Sequence, residues 1–258
     1  PQFDTPIVET HCHLDYLAEE ALEDALNAAT AVGIERIVTI AVSAGNLDTV
    51  QQIAADHDQV WCTQGIHPHE ADSWNHELSE RIAASCGNAK VVAIGEIGLD
   101  YHYDHADRRA QAAAFDAQLH IASEASLPVV IHTREADEDT RAILANHSQA
   151  LRHKGVIHSF TSSLSLAEFC LGEGFMLGFN GIITFRNADN VRAVADATPA
   201  ERIVLETDAP YLTPVPYRGQ PNEPRYLPFI AETLAGIKNL DSEVFLEHAR
   251  RNSYQLFF

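Results

Sequence analysis

Eight short apolar runs, each followed by a stretch with helical hydrophobic spacing, constrain this chain more than any other feature. The runs cover residues 6–8, 36–42, 60–65, 91–94, 128–131, 155–157, 175–179 and 202–208. Between them, 17–32, 47–57, 77–85, 107–126, 137–146, 165–171 and 191–197 read as helices, and 228–236 and 242–256 close the chain. The first is the clearest. Leu22, Ala25, Leu26, Ala29 and Val32 fall at i, i+3, i+4 spacing, Glu19, Glu20, Glu23 and Asp24 take the other side, and Gly33 ends it. Strands this short and apolar on both faces, alternating with helices, belong to a parallel sheet covered by helices. Eight units predict an α/β fold, a single (β/α)8 TIM barrel over residues 1–258. No GxGxxG follows the first run, so a dinucleotide fold has no support. The Pro-rich segment 213–224 reads as a long loop after the eighth strand, not as a domain boundary.

Ligand-type residues gather where these strands end. His11 and His13, spaced i, i+2, point to one face of the first strand. Alone the pair means little in a chain with 14 histidines. Glu96, however, follows the fourth run, His132 the fifth and His158 the sixth, while Asp208 ends the eighth. All strand ends of a barrel converge on its C-terminal face, so these six residues are expected to meet at one mouth and bind metal. Four imidazoles and two carboxylates exceed the needs of one tetrahedral ion, and Glu96 has two oxygens with which to bridge a pair. Two adjacent ions suit phosphoryl displacement, with Glu96 and Asp208 as catalytic carboxylates; Asp208 could bind metal, orient water or take its proton.

Composition narrows the partners. The formal charge is −20, and only Lys90, Lys154 and Lys238 are lysines among 17 basic residues. Such a surface repels a polyanion at long range, which argues against an extended track along duplex nucleic acid. A saline habitat would equally account for the charge. No apolar run is long enough for a membrane helix, and Pro1-Gln2-Phe3-Asp4 does not read as a signal peptide. Cys12, Cys62, Cys86 and Cys170 form no CxxC pair. A cytoplasmic monomer without membrane contact is expected.

The motifs Thr10-His11-Cys12-His13-Leu14-Asp15, Gly65-Ile66-His67-Pro68-His69, Gly95-Glu96-Ile97-Gly98-Leu99-Asp100-Tyr101, Ile131-His132-Thr133-Arg134 and Glu206-Thr207-Asp208-Ala209-Pro210-Tyr211-Leu212 resemble the TatD family of metal-dependent hydrolases and deoxyribonucleases. The likeness runs in order from the first strand to Asn252 and Phe257. It implies a TIM barrel with two, sometimes three, divalent ions. By that likeness His11, His13, Glu96 and Asp208 would hold one ion, and Glu96, His132 and His158 the other. It also implies hydrolysis of DNA phosphodiesters from the 3′ end, with His67 on the substrate side. Zinc, manganese, magnesium, iron and cobalt all remain open as the metal. Two positions depart from the pattern: Glu9 where Asp is common, and His158-Ser159-Phe160-Thr161-Ser162 where His-Cys-Phe-Thr-Gly is common.

Other candidates keep two readings. Arg134 grips a phosphate or forms a salt bridge to a neighbouring loop. His67 serves the site or shapes a turn, and Tyr211 and Arg218 touch substrate or pack. His69 and Glu70 read as a helix start. Glu206 is expected to orient a ligand or water from behind, and Glu9 to lie beneath the metals. Three functions follow: a nuclease acting on single-stranded or frayed DNA ends, a hydrolase of a small phosphoester, lactone or amide, and a non-catalytic metal-binding platform.

Overall fold

The computed structural model describes residues 1–258. Eight strands, β1 (Ile7–Cys12), β2 (Ile34–Thr39), β3 (Val60–Gln64), β4 (Val91–Asp100), β5 (Val129–Arg134), β6 (Gly155–Ile157), β7 (Met176–Phe179) and β8 (Ile203–Leu205), lie side by side in chain order. Every ladder is parallel. Helices α1 (Glu19–Ala31), α2 (Leu47–Asp56), α3 (His76–Ser85), α4 (Arg108–Ala125), α5 (Asp137–His147), α6 (Leu164–Gly172) and α7 (Asp189–Ala197) follow β1 to β7 in turn, and α8 (Leu227–Ile237) and α9 (Ser242–Phe257) follow β8. This is the expected TIM barrel. No helix is long and apolar enough to cross a membrane.

Local chemistry sets the helix ends. Asn75, Asp107, Ser163 and Asp241 each accept a backbone N–H of the following first turn, which satisfies donors the helix cannot satisfy itself. The main core of 54 buried residues fills the space between strands and helices. A second cluster joins Val38, Val92, Val130, Val156, Met176 and Val204 to Leu256 and Phe257 at the end of α9. Val92, Val130 and Met176 sit early in their strands, so the end of α9 packs toward the N-terminal side of the barrel, away from the C-terminal mouth.

Two strands differ in length from the sequence expectation. β4 runs on through Asp100, because residues 95–100 continue to pair with β5. β8 stops at Leu205, short of the expected 208. Beyond it the backbone turns to β1 for different partners. The Glu9 carboxylate accepts the Thr207 N–H at 3.0 Å, the Thr207 hydroxyl at 2.6 Å and the His11 N–H at 3.0 Å. Thr10 Oγ1 donates to the Leu205 carbonyl, Asp208 N–H to His11 O, and His13 N–H to Ala209 O. Side chains and backbone together therefore stitch the segment after the last strand to the first at this seam.

Glu9 is fully buried, and burial pushes its carboxyl up to about 8 against the pull of the Thr207 and His11 donors. Removing it would orphan several buried donors and leave a cavity. Glu9→Ala is expected to cost about 2–4 kcal/mol in urea unfolding. Glu9→Gln keeps an acceptor of the same size and should lose clearly less.

Candidate metal centre

Glu96 lies inside β4 at an irregularity. The β4–β5 register slips between Gly95 and Ile97, so Glu96 is the extra residue of a bulge, a device that re-aims a side chain. Its N–H leaves the ladder and donates to Ala41 O. Glycines make the bulge fit. A Cβ on Gly95 would sit 2.6 Å from Val130 Cβ, and one on Gly98, whose φ is +142°, would meet His132 O.

Four imidazoles face the Glu96 carboxylate. Oε1 lies 2.8 Å from His158 Nε2, 3.0 Å from His132 Nδ1 and 3.4 Å from His67 Nε2, and Oε2 lies 3.4 Å from His11 Nε2. Asp208 completes the ring, with Oδ1 3.2 Å from His13 Nε2 and 3.4 Å from His11 Nε2. Burial opposes ionisation of Glu96, but His158, His67, His11 and His132 outweigh it and hold the carboxyl well below its ordinary range. Burial likewise disfavours a charged His158, yet Glu96 and Glu206 hold it well above the usual imidazole value. All six residues expected to bind metal are thus brought together.

Hydrogen bonds sort the histidines into two kinds. His132 Nε2 lies 2.8 Å from Asp100 Oδ2, so that nitrogen carries a proton, and Nδ1 faces Glu96, where it would offer its lone pair to a bound cation. His67 is the reverse. Its Nδ1 accepts the His69 N–H at 3.0 Å, which leaves Nε2 protonated in the neutral ring. Burial lowers His67 to about 4, so the neutral form holds at pH 7. Proximity alone groups His67 with Glu96 and His132. Its tautomer makes it a hydrogen-bond donor to the site rather than a metal ligand.

The donor set fits divalent cations. Both nitrogens of His11 and of His158, and Nδ1 of His13, are buried without a hydrogen-bond partner, although carboxylates are close. Of these, the Nε2 atoms of His11 and His158 face the Glu96 carboxylate, where a cation would satisfy them. His11, His158 and Asp208 form one cluster with ligand atoms within 4.8 Å, and His11, His13 and Glu96 form another. The rings of His11 and His158 stack at 3.8 Å.

Residues behind the cluster fix it. Glu206 Oε1 accepts from Ser159 N–H at 2.7 Å and Asn180 Nδ2 at 3.0 Å, and lies 3.4 Å from His158 Nδ1. Gly178 makes room, since a Cβ there would stand 2.5 Å from Glu206 Oε2. Asp208 adopts φ +57°, a left-handed conformation costing roughly 1–2 kcal/mol in an ordinary L-residue. Its backbone bonds to His11 and Tyr211 hold it there.

Asp100 was not anticipated. It is buried, binds His132 Nε2 and His69 Nε2, and accepts the His102 and Tyr103 N–H groups. Its i+4 spacing from Glu96 on one strand was a usable signal. His69 does begin a short 3₁₀ helix, Pro68–Ser73, as expected of a helix start, and also touches Asp100. Arg134 stands outside the cluster, its guanidinium 5.1 Å from the Tyr103 ring, and lines a groove of about 1060 Å³ with Tyr101, Arg108 and Ser162. Tyr211 is half exposed at the mouth, its ring 6.2 Å from that of His13. Arg218 points away, onto Phe185.

Comparison with known proteins agrees with this geometry. The family model described as TatD related DNase matches residues 8–258. A Bacillus subtilis protein named as the uncharacterized metal-dependent hydrolase YabD is 35% identical over 252 residues, covering 97% of this chain and 98% of the relative. An Erwinia tasmaniensis protein named 3′-5′ ssDNA/RNA exonuclease TatD is 35% identical over 238 residues, covering 90% and 92%. The crystal structure of YjjV, a TatD homologue from Escherichia coli, superposes with a TM-score of 0.92 at 30% identity over 97% of both chains. The chain belongs to the TatD family of metal-dependent hydrolases.

Proposed function

We propose that this hydrolase cleaves phosphodiester bonds at the 3′ ends of single-stranded nucleic acid. The observation that carries the reading is the convergence of imidazoles and carboxylates on Glu96 at the barrel mouth. His11, His13, Glu96 and Asp208 would hold one divalent ion, and Glu96, His132 and His158 a second. Bound there, such ions polarise a phosphoryl oxygen and supply a nucleophilic water near neutral pH.

The chain's own residues do the rest. The Asp208 side chain is 15% exposed where Glu96 is 4%, so it is the carboxylate that faces incoming water and accepts its proton. His67 donates its Nε2–H to a non-bridging phosphate oxygen. Asp100 holds the His132 ring and Glu206 the His158 ring in the orientations that binding requires. Arg134 flanks the groove beside the site and meets the strand's phosphates there. All four cysteines are free and three are buried, in keeping with a reducing cytoplasm.

The name of the Erwinia relative supports the substrate class. The charge of −20 supports ends and single strands over duplex. That same charge favours a second reading, hydrolysis of a small phosphoester, lactone or amide. Labelled single-stranded DNA incubated with protein reconstituted in Mg²⁺, Mn²⁺, Zn²⁺ or Co²⁺ separates the two. Shortening from the 3′ end is expected, and silence on DNA beside turnover of a small ester would favour the second.

Variants test the roles. Asp208→Asn should lower kcat by about 10²–10⁴-fold. His11→Ala should lose one metal equivalent by elemental analysis while its circular dichroism stays that of a folded barrel. Asp100→Asn should weaken metal binding about 10–100-fold, read by titration with a chelator. His67→Ala should keep its metal and raise KM or lower kcat; loss of metal from this variant would show that His67 is a ligand after all.

A further inference from the structure

An aromatic stack leads out of the metal centre to the surface. The buried His13 ring lies parallel to that of Tyr16, with centroids 5.1 Å apart and planes 10° from coplanar. Tyr16 is 46% exposed, so ring surface beyond the stack faces solvent. Tyr211, 53% exposed, stands nearly perpendicular to it, at 6.2 Å and 76°. The two rings form a corner over His13, with Tyr211 also tied through its N–H to Asp208 O.

Tyr16 and Tyr211 are two of the few large apolar side chains left exposed, and both stand at the mouth. A folding role alone does not call for that. Each also stands on braced backbone. Tyr16 ends a 3₁₀ turn, Leu14–Tyr16, whose Asp15 is held by Asn46 Nδ2 at 3.0 Å. Tyr211 donates its N–H to Asp208 O and accepts from Asn222 Nδ2 at 2.6 Å. Backbone held in place before binding leaves less entropy to lose when a partner stacks on the rings it carries.

We infer that Tyr16 and Tyr211 form the seat of a nucleobase adjoining the scissile phosphate. This rests on the nuclease reading above and adds how the strand is recognised. The acidic surface denies the chain the affinity that basic proteins gain from releasing counterions. Stacking needs no charge, and every base has a π-face, so the seat grips any sequence. It would also favour unpaired ends, because a base inside a duplex has no free face to offer.

The test compares two oligonucleotides on the metal-loaded protein, identical except that one replaces the 3′-terminal base by an abasic tetrahydrofuran residue. The intact strand is expected to have kcat/KM about tenfold or more above the abasic strand, in line with the worth of one base–aromatic stack. Tyr16→Ala should bring the ratio close to one by raising KM for the intact strand, and Tyr16→Trp should restore it. In the slow Asp208→Asn variant, a terminal 2-aminopurine should be quenched on binding, and Tyr16→Ala should abolish that quenching. If Tyr16→Ala slows both strands alike and leaves the ratio intact, Tyr16 merely shields His13 and the seat is overturned. Equal wild-type rates on both strands overturn it as well. No cleavage of either strand, beside hydrolysis of bis(4-nitrophenyl) phosphate, overturns the nuclease reading and this assignment with it.

Discussion

One carboxylate holds the centre of this molecule together. Glu96 sits within 3.4 Å of imidazole nitrogens delivered by the first, third, fifth and sixth strands or the loops just past them. No regular strand could present it so. The bulge at Gly95 turns it inward, and the missing side chains of Gly95 and Gly98 let neighbouring backbone close around it. Glu96 and Asp208, both held below the ordinary carboxylate range by the surrounding imidazoles, supply the negative charge in the midst of these buried rings. Charge balance is thus built into the fold's geometry, and the catalytic chemistry inherits it.

The histidines look equivalent in sequence and are not equivalent in role. His132 is told by Asp100 which nitrogen to keep protonated. His67 is told the opposite by the His69 backbone. Two residues of one type therefore become a lone-pair donor and a proton donor, side by side on the same carboxylate. The division separates a nitrogen free to meet a cation from one free to donate a hydrogen bond, and the proposed reaction calls for both.

Much of this was legible in the chain. Eight apolar runs spaced by amphipathic stretches carry their own topology, because parallel strands need helical crossovers. The six ligand-type residues could be placed for the same reason: convergence of strand ends is a property of the barrel, not of any one motif. What escaped depends on contacts between distant segments. Asp100 reads like the tail of a turn until β4 is seen to carry on for ten residues. β8 reads as seven residues and forms three, since Glu9, 198 positions away, captures the amide that would have extended it. Tyr16 follows a motif that draws attention to its histidines, and only ring geometry reveals its part.

The stitched seam between first and last strands has a consequence for how the protein comes into being. His13 and Asp208 are 195 positions apart in the chain, and Glu9 and Thr207 are 198 apart. Contacts of such separation form late, after a large loop has been closed. A nascent chain with seven strands made has neither a sealed barrel nor a complete set of donors. Closure of the barrel and completion of the candidate donor set are thus one event, and a chain that lacks the eighth strand should lack the intact cluster as well as the fold.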